Sequence, residues 1–149
     1  MKAIQDLYPP DFAHCFGCGP SNPSGHQLKS FKQGAEVIAR FTPAAHHMSV
    51  PGFVYGGLLA SLVDCHAMAT AASAELTDDS APRFVTAALH VDYLKPTPLG
   101  PELEIRGRIK ERSDRKAIVT LTVTVSGTIT VQAEVVAVRI PKSMEQPSN

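Results

Sequence analysis

Fourteen basic and fourteen acidic side chains cancel over 149 residues, a length that one domain with a sizeable core accounts for. The balance argues against nucleic acid or an anionic membrane as the main partner, since both call for a basic surface, and it raises no general electrostatic barrier to self-association. No secretion-signal pattern opens the chain, where Asp6 and Asp11 stand, and three cysteines make no paired framework, so a cytoplasmic protein with reduced thiols is expected.

Residues 1–26 read as an irregular loop, because Pro9, Pro10, Pro20 and Pro23 with Gly17, Gly19 and Gly25 exclude a long helix or a central strand. Cys15 and Cys18 form a C-x-x-C flanked by His14 and His26. A zinc knuckle needs more ligands than this: there is no second C-x-x-C, and His14 adjoins Cys15, a poor geometry for two ligands on one tetrahedral ion. A redox C-x-x-C would follow a strand and open a helix, whereas this one opens a Pro/Gly loop. The expectation is a shaped loop with buried small thiols, no bound metal and no organic cofactor.

Two strand-like runs follow, QLKSF and AEVIARF, broken near Gln33–Gly34, with Pro43 ending the second. His46 and His47 lie in the connection beyond, and His47 is a candidate ligand contact. Next comes the stretch PGFVYGGLLASLVDCHAMATAASAEL, residues 51–76. After Gly57 it contains neither glycine nor proline, and Ala, Leu and Met dominate, which predicts one helix about 30 Å long. Leu58, Leu62, Cys65, Ala69, Ala72 and Leu76 form its apolar stripe, and Asp64 falls on the flank shared with Gly57, Ser61 and Met68. Asp64, His66 and Glu75 spoil it as a membrane span.

Gly56 and Gly57 stand at the helix start, where the first N–H groups lack intrahelical partners and the dipole end is positive. With no Cβ there, a ligand oxygen can approach those donors closely. Asp64 lies two turns further in on the same flank, so the sequence raises the prospect of donors and a base converging on one carbonyl.

Beyond the polar break TDDSAP the period changes to two. Phe84–Leu94, Glu102–Glu111, a third run in which Val119, Leu121, Val123 and Val125 alternate with threonines, and a fourth carrying Ile129, Val131, Ala133, Val135 and Ala137 inward predict four long antiparallel strands. Ser126–Gly127 predicts a tight turn between the last two. Residues 142–149 read as a disordered tail. One helix must then cover the apolar face of the whole sheet, which a curved antiparallel sheet wrapped around that helix achieves: an α+β fold with open edges that favour a homodimer or homotetramer.

Read together, CFGCGPSNPSGHQL, PGFVYGGLLASLVD and VTAALHVDYLKPTPLG make the chain resemble the hotdog-fold acyl-CoA thioesterases, specifically their phenylacetate-pathway branch. That family's helix usually opens on His-Gly-Gly with an acidic residue seven positions after the second glycine; here Tyr55-Gly56-Gly57 is followed at that distance by Asp64. The resemblance implies a hydrolase that needs no metal and takes an acyl-CoA substrate. Gly57 would supply the N–H that binds the thioester oxygen, Asp64 the general base or nucleophile, and Thr86 the hydroxyl beside the acid, with acid and oxyanion donor contributed by different subunits. Tyr55 replaces the usual histidine, and Ser49 stands where several members carry asparagine; both side chains still donate hydrogen bonds. Phe53, Leu58, Met68 and Leu94 are candidate acyl-slot walls, and Arg106, Arg108, Arg112, Arg115 and Lys116 candidate partners for the CoA phosphates. The competing readings are a non-catalytic acyl-CoA or aromatic ligand binder and, less favoured, a hydroxyacyl-thioester dehydratase or hydratase, whose histidine is missing at the helix start.

Overall fold

Turn chemistry sets the first hairpin. In the computed structural model, which describes residues 1–145, β1 (Ser30–Gln33) pairs antiparallel with β2 (Glu36–Phe41) across a turn in which Gly34 takes φ +62°, a left-handed conformation glycine adopts without steric cost. A 3-10 turn at Ala45–His47 leads towards the single α-helix, α1 (Gly56–Ala72), and a further 3-10 turn at Ser73–Glu75 continues it. The α-helical part is about 26 Å long at 1.5 Å per residue, so the predicted helix is present with its last turn tightened.

Four long strands follow: β3 (Phe84–Tyr93), β4 (Leu103–Arg112), β5 (Lys116–Val125) and β6 (Thr128–Arg139). All six strands form one antiparallel sheet in the order β1-β2-β4-β5-β6-β3. α1 touches every strand of it, so the sheet wraps the helix in the hotdog arrangement and buries nearly its whole circumference. Leu58, Leu59, Leu62, Val63 and every residue from Cys65 to Ala72 are buried. Each fully buried Leu or Val there contributes about 1.5–3 kcal/mol.

The alternation in β5 behaves as its period requires: Ala117, Val119, Leu121, Val123 and Val125 face the core. Ser126 (φ +48°) and Gly127 (φ +80°) form the tight turn into β6, the backbone of a two-residue hairpin whose twist matches the flanking strands. One inward assignment in β6 needs correction. Val123 pairs with Val131 but Thr124 with Ile129, so Thr130 is an extra, bulged residue. The bulge turns Thr130 into the core and leaves Ile129 42% exposed. At the C-terminus, Lys142–Met144 form a 3-10 turn rather than the expected disordered tail, whose remaining part, 146–149, lies outside the described residues.

Helix and sheet approach closely at Gly107 in β4, where a Cβ would stand 2.3 Å from Thr70 Oγ1. Beside this contact a buried polar chain joins the N-terminal 3-10 turn at Ile4–Leu7 to β1, α1 and β2. Ser30 N–H donates to Gln5 Oε1 (2.8 Å), Gln5 Nε2 donates to Ser30 Oγ (2.9 Å), the Ser30 hydroxyl meets His66 Nδ1 (2.8 Å), and His66 Nε2 meets Val37 C=O (2.9 Å). The Val37 carbonyl can only accept, so the imidazole carries its proton on Nε2 and accepts from Ser30 on Nδ1. Complete burial pushes His66 down to about 4.

Candidate active site

On α1 the residues that keep contact with solvent are Gly56, Gly57, Ala60, Ser61 and Asp64. The last four follow helical spacing and form one ridge, which ends at Asp64 because Cys65–Ala72 are buried on every side. Met68, assigned to the same flank and to a substrate wall, is instead 3% exposed within the core.

At the start of the ridge, Leu58 and Leu59 N–H both donate to Tyr55 C=O, at 3.1 and 3.3 Å. The N–H groups of Gly56 and Gly57 have no acceptor among the described residues, which is the state of a helix start able to bind an oxyanion. Tyr55 packs its ring directly on Gly57: a Cβ there would stand 2.4 Å from ring Cε1, so a larger residue at 57 displaces the ring. Tyr93 Oη donates to Gly56 C=O at 2.7 Å. Its own proton is held more tightly than usual, first by desolvation and then by neighbouring Tyr55.

At the other end of the ridge, the Thr86 hydroxyl donates to Asp64 Oδ1. Thr86 lies on β3, an edge of the sheet, next to a bulge: Thr86 pairs with Ala137 and Ala88 with Val136, leaving Ala87 as the extra residue. Bulges re-aim side chains where they interrupt a ladder, and this one follows the residue that holds the carboxylate. Asp64 and Gly57 do not converge within one chain. Seven residues of helix separate them by about 10.5 Å along the axis, whereas a base and an oxyanion donor serving one carbonyl must each lie within about 3 Å of it or its water.

A cavity of about 460 Å³ opens beside the helix start, lined by Ser49, Phe53, Gly56, Leu59, Tyr93 and Leu94. Of the predicted slot walls it gathers Phe53 and Leu94 and omits the buried Leu58 and Met68; Ser49 and Gly56, named for the carbonyl, line it too, as do Leu59 and Tyr93, which sequence reasoning missed. Exposed apolar side chains ring it, among them Val50 (60%), Leu94 (50%) and Tyr93 (52%). His47 lies apart from this cavity. Its Nδ1 accepts from Ala44 N–H at 2.9 Å, and its ring joins His26, His46 and Phe41 around a different hollow.

Most of the arginines considered for CoA phosphates are engaged. Arg106 pairs with Glu36 (2.8 Å) and Glu104 (2.7 Å), Arg108 with Glu36 (2.7 Å) and Arg112 with Glu75 (3.0 Å). Arg108 with Arg106 holds the Glu36 carboxyl below its ordinary range, Arg139 with Arg112 holds Glu75, and Arg106 with Arg40 holds Glu104. Arg115 and Lys116 have no ion pair among the described residues.

Behind Asp64, the fold adds a third sulfur to Cys15 and Cys18. Cys65 Sγ stands 3.8 Å from Cys15 Sγ, and all three sulfurs lie within 4.8 Å of one another. The count of sulfur ligands that spoke against a metal in the loop therefore rises from two to three. Cys15 is held far below the ordinary thiol range by the adjacent Cys18 and Cys65 thiols and then by backbone amides, while sharing that proton pushes Cys18 up to about 12 and Cys65 up as well.

Residues 51–132 match the thioesterase superfamily model. Acyl-coenzyme A thioesterase THEM4 of Rattus norvegicus is 27% identical over 125 residues, covering 83% of this chain and 51% of that protein, so the chain spans about half the length of this curated relative. Among solved structures, a thioesterase superfamily protein from Shewanella loihica PV-4 is 43% identical with a TM-score of 0.69, over 88% of this chain and 97% of the other. The E. coli PaaI protein from the phenylacetic acid degradation operon shares the fold at 15% identity, with a TM-score of 0.67 over 78% and 81%. The helix start, the Asp64 ridge and strands β3, β4 and β5 fall inside the matched region, and the chain belongs to the thioesterase superfamily.

Proposed function

We propose that this protein is an acyl-CoA thioesterase, hydrolysing a thioester to a free acid and CoA at a site completed by a second copy of the chain. The observation that carries the reading is the ridge on α1: unpartnered Gly56 and Gly57 N–H groups at one end and a Thr86-held carboxylate at the other, too far apart for one carbonyl. In an antiparallel pair of helices the Asp64 end of one ridge meets the Gly57 end of the other, and each acid finds the partner's donors. The open edge of β3, with Leu89 42% exposed, supports such pairing.

In this arrangement the Gly57 N–H hydrogen-bonds the thioester oxygen and stabilises the negative charge that develops there. Asp64 removes a proton from water as the water attacks the carbonyl carbon, or attacks that carbon itself, and Thr86 fixes the orientation of its carboxylate. Collapse of the tetrahedral intermediate breaks the C–S bond, and the CoA thiolate takes up the proton; on the nucleophilic route collapse leaves an acyl–Asp64 anhydride, whose hydrolysis by water frees the acid, restores Asp64 and supplies that proton. The acyl group occupies the cavity at Phe53, Leu59 and Leu94, with Ser49 and Tyr55 as flanking donors.

Supporting this class are the superfamily match and a relative named as an acyl-coenzyme A thioesterase. One observation favours a ligand-binding protein without turnover: the Tyr55 ring lies on Gly57 and shields one approach to its N–H. Free-thiol release from a panel of aliphatic and aromatic acyl-CoA esters separates the two. Steady turnover of at least one ester is expected; saturable binding with no thiol release from any of them would favour the binder.

A further inference from the structure

Three cysteines far apart in sequence meet at one point of this fold. Cys15 and Cys18 come from the irregular N-terminal segment and Cys65 from the middle of α1, and their sulfurs all lie within 4.8 Å of one another. We propose that this cluster is a metal site that binds one zinc ion through three thiolates. Sulfurs bound at about 2.3 Å to a common tetrahedral ion stand about 3.8 Å apart, and Cys15 Sγ and Cys65 Sγ are separated by 3.8 Å. A disulfide would require about 2.05 Å, and all three thiols are free. A set of soft thiolates selects zinc over magnesium or calcium, which take hard oxygen ligands.

The chain around the sulfurs is shaped to bring them together. Gly19 N–H donates to Cys15 C=O at 2.7 Å, closing the C-x-x-C loop on itself. A Cβ on Gly17 would stand 2.3 Å from Cys65 Sγ, and one on Gly19 would stand 2.4 Å from Cys15 N. Both positions therefore require glycine, one for the loop to reach the helix sulfur and the other for the loop to fold tightly.

Charge and coordination number point the same way. Three thiolates and Zn²⁺ sum to one negative charge. Arg83 lines the same cavity as Cys15 and stacks its guanidinium on the Tyr8 ring at 4.8 Å. Its Nη1 is buried with no hydrogen-bond partner among the described residues, so a cation is held beside the cluster with nothing yet assigned to it. Zinc takes a fourth ligand. Cys15 is half-buried and opens onto a cavity of about 250 Å³ that also contains Asp11 and His14, so a water molecule completes the shell from that side. The displaced thiol protons pass to solvent. The ion ties the N-terminal loop to α1 at the residue after Asp64, and the proposal is independent of the thioesterase reading.

The test uses the full chain, purified under reducing conditions, equilibrated with zinc and passed through a desalting column before elemental analysis. Close to one zinc per chain is expected, with the half-buried Cys15 protected from a thiol reagent in the loaded protein and reactive after chelation. Cobalt(II) in place of zinc should show the intense thiolate-to-metal charge-transfer absorption of sulfur ligation. Cys15→Ser, at the cavity edge, and Cys65→Ser should each lose the zinc and that absorption; should Cys65→Ser fail to fold, Cys15→Ser carries the test, with circular dichroism as its control for folding. No zinc uptake by the fully reduced protein would overturn the proposal. So would zinc retained by folded Cys15→Ser and lost instead on substituting His26 and His47, the cluster of ring nitrogens elsewhere on the surface.

Discussion

His66 ties folding stability to pH through a single buried ring. It is 0% exposed, donates through Nε2 to Val37 C=O, accepts the Ser30 hydroxyl on Nδ1, and is pushed from the ordinary 6.5 down to about 4 by burial. The unfolded chain takes up this proton near 6.5 and the folded chain only near 4, so the stabilisation is complete above 6.5 and is lost as pH falls from 6.5 to 4. At about 1.4 kcal/mol per unit, pH 5 costs about 2 kcal/mol relative to pH 7, and the limit below pH 4 is about 3 kcal/mol. For a chain of this size that corresponds to a fall of roughly 4–8 °C in thermal midpoint between pH 7 and 5. His26 and His47 are also lowered by desolvation and add a loss of the same sign, whereas the arginine-paired Glu36, Glu75 and Glu104 act below the ordinary carboxylate range. The contribution of His66 is therefore read as the difference between wild type and His66→Gln. The variant should be about 1–3 kcal/mol less stable at pH 7, because a buried partner is left unsatisfied, yet lose less on acidification. The assay is thermal or denaturant unfolding at fixed protein concentration from pH 7.5 to 5. Parallel pH curves for the two proteins would refute the reasoning.

Three further outcomes follow from particular contacts. Thr86→Ala should lower kcat about 10- to 100-fold by removing one hydrogen bond to a charged group, with the thermal midpoint nearly unchanged; equal kcat would remove Thr86 from the site. Gly107→Ala, which places a methyl 2.3 Å from Thr70 Oγ1, should destabilise the protein by about 1–3 kcal/mol in chemical denaturation, and a neutral result would mean that helix and sheet separate there without cost. Light scattering at micromolar concentration should give a dimer or larger, and Leu89→Lys on the open β3 edge should yield monomer without thioesterase activity; a monomeric wild type that retains activity would exclude a shared site.

How far the chain could be read from its residues depended on the range over which each signal acts. The alternation in β5, the Ser126–Gly127 turn and the unbroken apolar run of α1 are local, and each appears where the pattern places it. A bulge breaks such a pattern from outside: Thr130 inserts against β5, and Ile129 changes face in consequence. Met68 was misplaced because amphipathic reasoning leaves one flank open, whereas α1 is buried on every side beyond Asp64, by the sheet and by the N-terminal loop. The pairing of Thr86 with Asp64 was legible only through resemblance, since nothing in either segment indicates the other. Cys65 read as one member of an apolar stripe, and its meeting with Cys15 spans fifty residues and depends on how the N-terminal loop lies across the helix. The His66 network was invisible for the same reason, its partners coming from the first turn of the chain and from β1 and β2.

The most direct test of the account is kcat for Asp64→Asn on an acyl-CoA that the wild type hydrolyses, measured beside acyl-CoA affinity and the thermal midpoint of the assembled protein. Asn keeps the shape of Asp and can still meet the Thr86 hydroxyl, but it cannot take a proton from water or attack a carbonyl. The account predicts kcat lower by roughly 10²- to 10⁴-fold for the loss of a general base, with binding and midpoint essentially preserved. An unchanged kcat in a well-folded, assembled Asp64→Asn protein would contradict it.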